Sequence, residues 1–224
     1  LAAAAALVGD DAASERLLKS LSRLAEQSLL AVQHVRGQTR YLLLETVRQF
    51  ALDRLQGGGA ADPVRRRHAR HFLGVAEGHG EDIARHGEGA AVLAMIDLDR
   101  DNFLRALDWC QGGSDADRAT TGLRLASALR YYWPARGLNA LGVEVMRVAL
   151  ARAASCAPDL AQSRALGVIT QACWRIGQHD EALLHAQRHR QLAASINDPA
   201  SLTVAHANRG NIERSLGHLD AAQA

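Results

Sequence analysis

Apolar residues recur at helical spacing along most of the chain, interrupted once by a short strand-like stretch. Over residues 14–28, Leu17, Leu18, Leu21, Leu24 and Ala25 form one stripe, with Arg16, Lys19, Ser20, Arg23 and Gln27 elsewhere. This predicts an amphipathic helix with Ser14 as its N-cap. Two β-like runs follow, 29–35 and 39–44, and the Gly-containing loop Arg36-Gly37-Gln38 between them predicts a hairpin. A helix is predicted over 46–55, ended by Gly57-Gly58-Gly59. Asp62-Pro63 supply an N-cap and a first-turn proline for a helix over 63–77. The Gly- and His-rich stretch 78–89 reads as a connector. Residues 90–111 then form a helix burying Leu93, Ile96, Phe103, Leu107 and Trp109, closed by Gly112-Gly113-Ser114.

Beyond this point the pattern repeats. Gly137, Gly177 and Gly217 are spaced by 40 and 40 residues, each ending a helical run, and five residues after each stands a small residue: Gly142, Ala182 and Ala222. A glycine takes the left-handed exit of a helix, and a small residue lets two helices approach closely. Asp180-Glu181 and Asp220 put acids where the next helix begins, as its dipole favours. The expected fold is predominantly all-α. It comprises a partial winged helix with a small β-hairpin (1–57), a helical linker (62–112) and a solenoid of helical hairpins (116–224) whose last unit is incomplete.

Composition supports close helix packing. Aromatic residues make up only 4% of the chain, and 43 of its 224 residues are alanine. With 26 basic and 24 acidic residues the net charge is +2, which gives no bulk attraction to nucleic acid or an acidic membrane. No apolar run reaches the roughly 18 residues of a membrane span, and the opening Leu1–Val8 has no basic leader of a signal peptide. Cys110, Cys156 and Cys173 are too sparse for a disulfide scaffold or zinc ribbon, so a cytoplasmic setting is expected. All basic residues but Lys19 are arginine, which reads as compositional bias. The lack of an initiator Met and the helical pattern at the last residues suggest a segment of something larger.

The units around Gly177 and Gly217 resemble tetratricopeptide repeats. Gly177-Gln178-His179-Asp180-Glu181-Ala182 matches that family's turn, and Leu166 its first large apolar position. Thr170 and Cys173 depart from the usual residues, Trp133-Pro134 bends the first copy, and the 40-residue period exceeds the common repeat of about 34. The runs LSRLAEQSLL (21–30) and RYLLLETVRQFA (40–51), with RRRHARHF (65–72) and DNFLRALDW (101–109), resemble bacterial signal-transduction ATPases with numerous domains (STAND). That group includes transcriptional activators of the LuxR and SARP types. The resemblance implies an ATPase domain upstream in the parent, then a winged helix, a helical linker and the repeats. No GxxxxGK[ST] occurs here, so no cofactor is expected in this segment, and ATP or ADP belongs to the parent. Related switch ATPases carry a Met-His-Asp motif whose histidine reads the ADP phosphate. Leu43-Leu44-Glu45 stands in its place, which argues against nucleotide sensing here and leaves Glu45 as a structural acid.

Each candidate site has a plainer alternative. The 14–28 helix would offer Arg16, Lys19 and Arg23 to a DNA groove or a switch contact, but Glu15 and Glu26 flank these cations. A packing and switch role is expected instead, without DNA contact. The cluster Arg65-Arg66-Arg67-His68-Ala69-Arg70-His71 reads as a solvated face and lacks interleaved aromatics. His185 and His189 have the spacing of a zinc pair but no third ligand in sequence, so metal is not expected there, nor at His68 and His71. The cysteines are expected as buried small residues rather than nucleophiles, and no catalytic set is evident. Tyr131, Tyr132, Trp133 and Trp174, with His185 and His189, are the candidates for an effector or partner surface, although aromatics at this spacing are more often core.

These readings describe a non-enzymatic regulatory segment. Its repeats would receive a protein or small-molecule effector, and its winged helix would relay the signal to the parent's own ATPase domain. The alternatives are a repeat scaffold with no nucleotide switch, or an accessory region of a kinase or cyclase. Self-association is expected through the uncapped apolar face of the third repeat.

Overall fold

A computed structural model describes residues 2–8, 11–86, 89–113, 115–157 and 159–218. The fold is predominantly helical, with one small antiparallel hairpin followed by a closely packed helical region. It divides into two compact units, Leu1–Phe72 and Leu73–Ala224.

The first unit contains α1 (Ala2–Val8), α2 (Asp11–Glu26), β1 (Leu30–Val35), β2 (Gln38–Leu43), α3 (Glu45–Gly57) and the start of α4 (Ala61–His86). Helix α2 begins before Ser14, so Ser14 lies inside it rather than at its cap. Leu17, Leu21, Leu24 and Ala25 are half-buried along one stripe, whereas Leu18 is 41% exposed and falls off it. The helix is closed by Ser28 in the left-handed region (φ 58°), with the Leu29 N–H donating to the Leu24 carbonyl at 3.0 Å.

The hairpin turn has two residues, not the three expected. Val35 pairs directly with Gln38, and Arg36 and Gly37 both take positive φ (52° and 76°). That is the geometry of a type I′ turn, whose twist matches the strands it joins.

Three further expectations need correction. Helix α4 starts at Ala61, placing Asp62 and Pro63 within its first turn, and it runs unbroken through the presumed connector to His86. An internal glycine costs about 1 kcal/mol against alanine, yet Gly80 sits where a Cβ would come within 3.1 Å of the Ala128 carbonyl oxygen. The residue permits a close contact rather than breaking the helix. Arg124 and Glu77 fix the same approach with two hydrogen bonds of 2.9 Å. The earlier start also moves the basic cluster out of the first turn, and it is not merely a solvated face. Arg67 donates to the Leu7 carbonyl at 2.8 Å, and the His68 and His71 rings pack against Phe72.

The second unit continues with α5 (Gly89–Gln111), α6 (Ala116–Ala128), α7 (Tyr132–Ala135), α8 (Asn139–Arg152), α9 (Leu160–Arg175), α10 (His179–Ser195) and α11 (Pro199–Ser215). In α5, Ile96, Phe103, Leu107 and Trp109 are buried and Leu93 half-buried. A tight 3-10 turn at Leu129–Tyr131 joins α6 to α7. Pro134 accounts for it, because its ring nitrogen has no hydrogen for the Arg130 carbonyl.

Gly137, Gly177 and Gly217 all lie in the left-handed region, at φ 67°, 79° and 80°. At each, the N–H of the next residue (Leu138, Gln178, His218) donates back to Trp133, Cys173 or Glu213 at 2.7, 2.9 and 2.9 Å. This six-residue closure is the Schellman motif, recurring at the 40-residue spacing. Asn197 (φ 53°) closes α10 in the same way. At the other end of these runs, Asp115, Asp159 and Asp198 cap α6, α9 and α11 by accepting backbone N–H bonds, a signal the sequence reading missed. Helix α9 packs on α8 and α10, and α10 packs on α11. Ala165, Ala182, Ala186, Ala193 and Ala205 are buried along these contacts. Gly142 occupies the position equivalent to Ala182, where a Cβ would lie 2.8 Å from Trp133 Cγ. Ala222 lies outside the described residues.

Candidate functional site

The second unit encloses a cavity of about 690 Å³. One stripe of α9, polar apart from Val168, forms a wall: Arg164, Val168, Gln171 and Arg175 line the space at successive turns. Tyr131, Leu160 and Val204 also line it and are unusually exposed for their size, at 38%, 41% and 43%. Arg130 completes the basic side, its guanidinium lying 4.4 Å from the centroid of the Tyr131 ring. Asp198 and Glu81 supply the acidic side. Asp198 is held below the usual carboxylate range, chiefly by its hydrogen bond with Ser201, with Arg164 contributing. A cavity of this size with apolar patches and a few placed charges has the character of a ligand site.

The structure sorts the sequence candidates. Tyr131, Trp133 and His189 line the cavity, whereas Tyr132, Trp174 and His185 do not. Trp133 is 3% exposed and mainly a packing residue. Tyr132 is buried and donates its hydroxyl to Asp97 Oδ1 at 2.9 Å, and Arg136 makes two more bonds to the same carboxylate. That pairing, Arg136 above all, lowers the Asp97 pKa. Trp174 donates to Ser215 Oγ at 3.0 Å, tying α9 to α11. His185 and His189 share a face of α10 but meet different neighbours. His189 rests against Gly167, where a Cβ would come within 3.0 Å of its Cε1. His185 Nε2 lies 3.6 Å from Glu181 Oε1, which also accepts from Arg147 Nη2 at 2.9 Å.

Burial pushes both imidazoles below the ordinary histidine value of 6.5, although Glu181 opposes this at His185 and Asp198 at His189. The unfolded chain therefore takes up protons first as pH falls through about 6.5. Stability is expected to be fully present above that value and to decline below it, towards the folded pKa values. Urea midpoints at pH 7.5, 6.5 and 5.5 would follow this, and His189→Gln should flatten the profile. An equally steep profile in that variant would refute the His189 contribution.

Burial also pushes the Cys110 and Cys173 thiols up to about 12 and about 11, making both poor nucleophiles. In the first unit, Lys19 pairs with Glu15 at 2.7 Å on the exposed side of α2, and Arg16 and Arg23 are exposed there. Glu45 opens α3 and pairs with Arg48, while Leu44 precedes the helix half-exposed. Leu42, Leu43 and Phe50 are likewise exposed, and α3 buries none of its residues. No helix among the described residues is long and apolar enough to cross a membrane.

The chain is 31% identical over 129 residues to three proteins whose names assign them to the HTH-type transcriptional regulators. One is from Mycobacterium bovis and two are from Mycobacterium tuberculosis strains, CDC 1551 and H37Rv. The match covers 58% of this chain but only 14% of each relative. No family model matches the chain, and no solved structure matches it.

Proposed function

We propose that this chain is the regulatory segment of a larger HTH-type transcriptional regulator of the STAND kind. Its second unit would be a tetratricopeptide-like effector receiver, and its first unit a partial winged helix that relays the signal. The observation that carries this reading is the cavity of about 690 Å³ among stacked helical hairpins, in a chain related to transcriptional regulators. Effector occupancy would stiffen the hairpins that line it and so favour one state of the parent. The exposed Leu43 on one face of the hairpin, Leu42 on the other, and Leu44 and Phe50 at α3 would offer apolar contacts to the parent's ATPase domain. DNA contact would lie elsewhere in the parent, since Glu15 already pairs with Lys19 on α2. The setting would be cytoplasmic.

Deleting residues 73–218 from the full-length parent tests the reading. Effector-independent reporter output together with altered ATP turnover is the expected result. Unchanged output would sink the regulatory role. Changed output with normal ATP turnover would favour a scaffold without a nucleotide switch.

A further inference from the structure

We propose that Cys173, Glu181 and His185 form a binding site for a zinc-class divalent cation, clipping α9 to α10 within one repeat hairpin. The sulfur of Cys173, a carboxylate oxygen of Glu181 and a ring nitrogen of His185 all lie within 4.8 Å of one another. The His185–Glu181 separation is 3.6 Å. Metal–ligand bonds of about 2.0–2.3 Å put the ligand atoms of a tetrahedral site roughly 3.3–3.8 Å apart, so small side-chain rotations complete the set. Three protein ligands leave a fourth position for water.

A second observation points the same way. His185 is 7% exposed, and neither of its ring nitrogens makes a hydrogen bond of acceptable geometry. Buried polar groups are seldom left in that state, and a metal bond would satisfy one of these nitrogens. Glu181 is half-buried and forms the accessible side of the cluster, giving an ion a path inward.

The charges suit a divalent ion. Arg147 bonds both oxygens of Glu181, at 2.9 and 3.2 Å, and also pairs with Glu144 at 2.7 Å. With Cys173 as thiolate, the three anions and one guanidinium sum to two negative charges, which one divalent cation neutralises. Arg147 then acts as the outer partner that orients a ligating carboxylate. Binding replaces the thiol proton, which passes to solvent, and a thiol pushed up to about 11 makes uptake strongly dependent on pH. Thiolate, imidazole and carboxylate together favour zinc over calcium or magnesium.

The test titrates the purified full chain with Co²⁺ and then Zn²⁺. One equivalent of Co²⁺ is expected to produce a thiolate-to-cobalt charge-transfer band, and Zn²⁺ should abolish it. Cys173→Ser should remove the band, and Glu181→Gln should weaken binding at least tenfold while circular dichroism stays unchanged. Cys110→Ser and Cys156→Ser should retain the band. Absence of the band in the unaltered chain overturns the proposal, as does its survival in Cys173→Ser. If Cys173→Ser does not fold, the half-exposed Glu181→Gln decides, and unchanged affinity there also overturns it. None of these outcomes bears on whether the segment regulates transcription, which the deletion measures separately.

Discussion

Trp133→Ala is expected to lower stability by about 3–5 kcal/mol, the usual cost of deleting a large buried aromatic. For a chain of this size that is a fall in thermal midpoint of roughly 6–20 °C. The indole is 3% exposed, lies against the backbone of Gly142, and donates to the Ala126 carbonyl at 3.4 Å. Truncation therefore opens a void where α7 meets α8. Gly142→Ala attacks the same contact from the other side, because the added methyl would sit 2.8 Å from Cγ and 2.9 Å from Cβ of the indole. Overpacking of this kind costs about 1–3 kcal/mol. The two changes should be strongly non-additive, since in Trp133→Ala the new methyl enters the void left by the indole. Additive losses in a denaturation cycle would show that the contact is not as tight as the geometry implies.

Gly177→Val is expected to cost roughly 2 kcal/mol, for a different reason. No atom lies within 4 Å of a Cβ built at Gly177, so no clash arises. The penalty is the left-handed backbone, φ 79°, which a β-branched residue resists. Gly177→Asn should lose about half as much or less, because Asn197 already holds this conformation at the next turn. Urea midpoints of the two variants measure the contrast. Equal losses would mean that bulk, not backbone, sets the cost.

Gly177 also marks what could be read in advance. A left-handed helix exit is a demand on one residue, so its recurrence is written directly into the spacing of Gly137, Gly177 and Gly217. The helical class and the hairpin followed from periodicity for the same local reason. The length of α4 did not, because Gly80 is explained by the carbonyl of Ala128, far along the chain. The two-residue turn was missed because it requires Arg36, an ordinary residue, to take a positive φ. The cavity was only partly legible. Tyr131 and His189 were singled out, but Arg164 and Arg175 became site residues only when α9 was set beside its neighbours. Tyr132 looked like a contact residue until Asp97, 35 positions earlier, claimed its hydroxyl. His185 has a sulfur near it only because the hairpin folds Cys173 back over α10.

The hairpin of the first unit has one more physical consequence. A sheet of two strands has an open outer edge on each, and among the described residues β1 and β2 pair only with one another. Their outward N–H and C=O groups are a template for any extended segment, and exposed apolar side chains flank it on both faces, Val32 and Leu43 on one and Leu42 on the other. An aggregation hazard of this chain therefore lies on the hairpin. A charge there, as in Leu42→Lys, should raise the concentration at which light scattering begins.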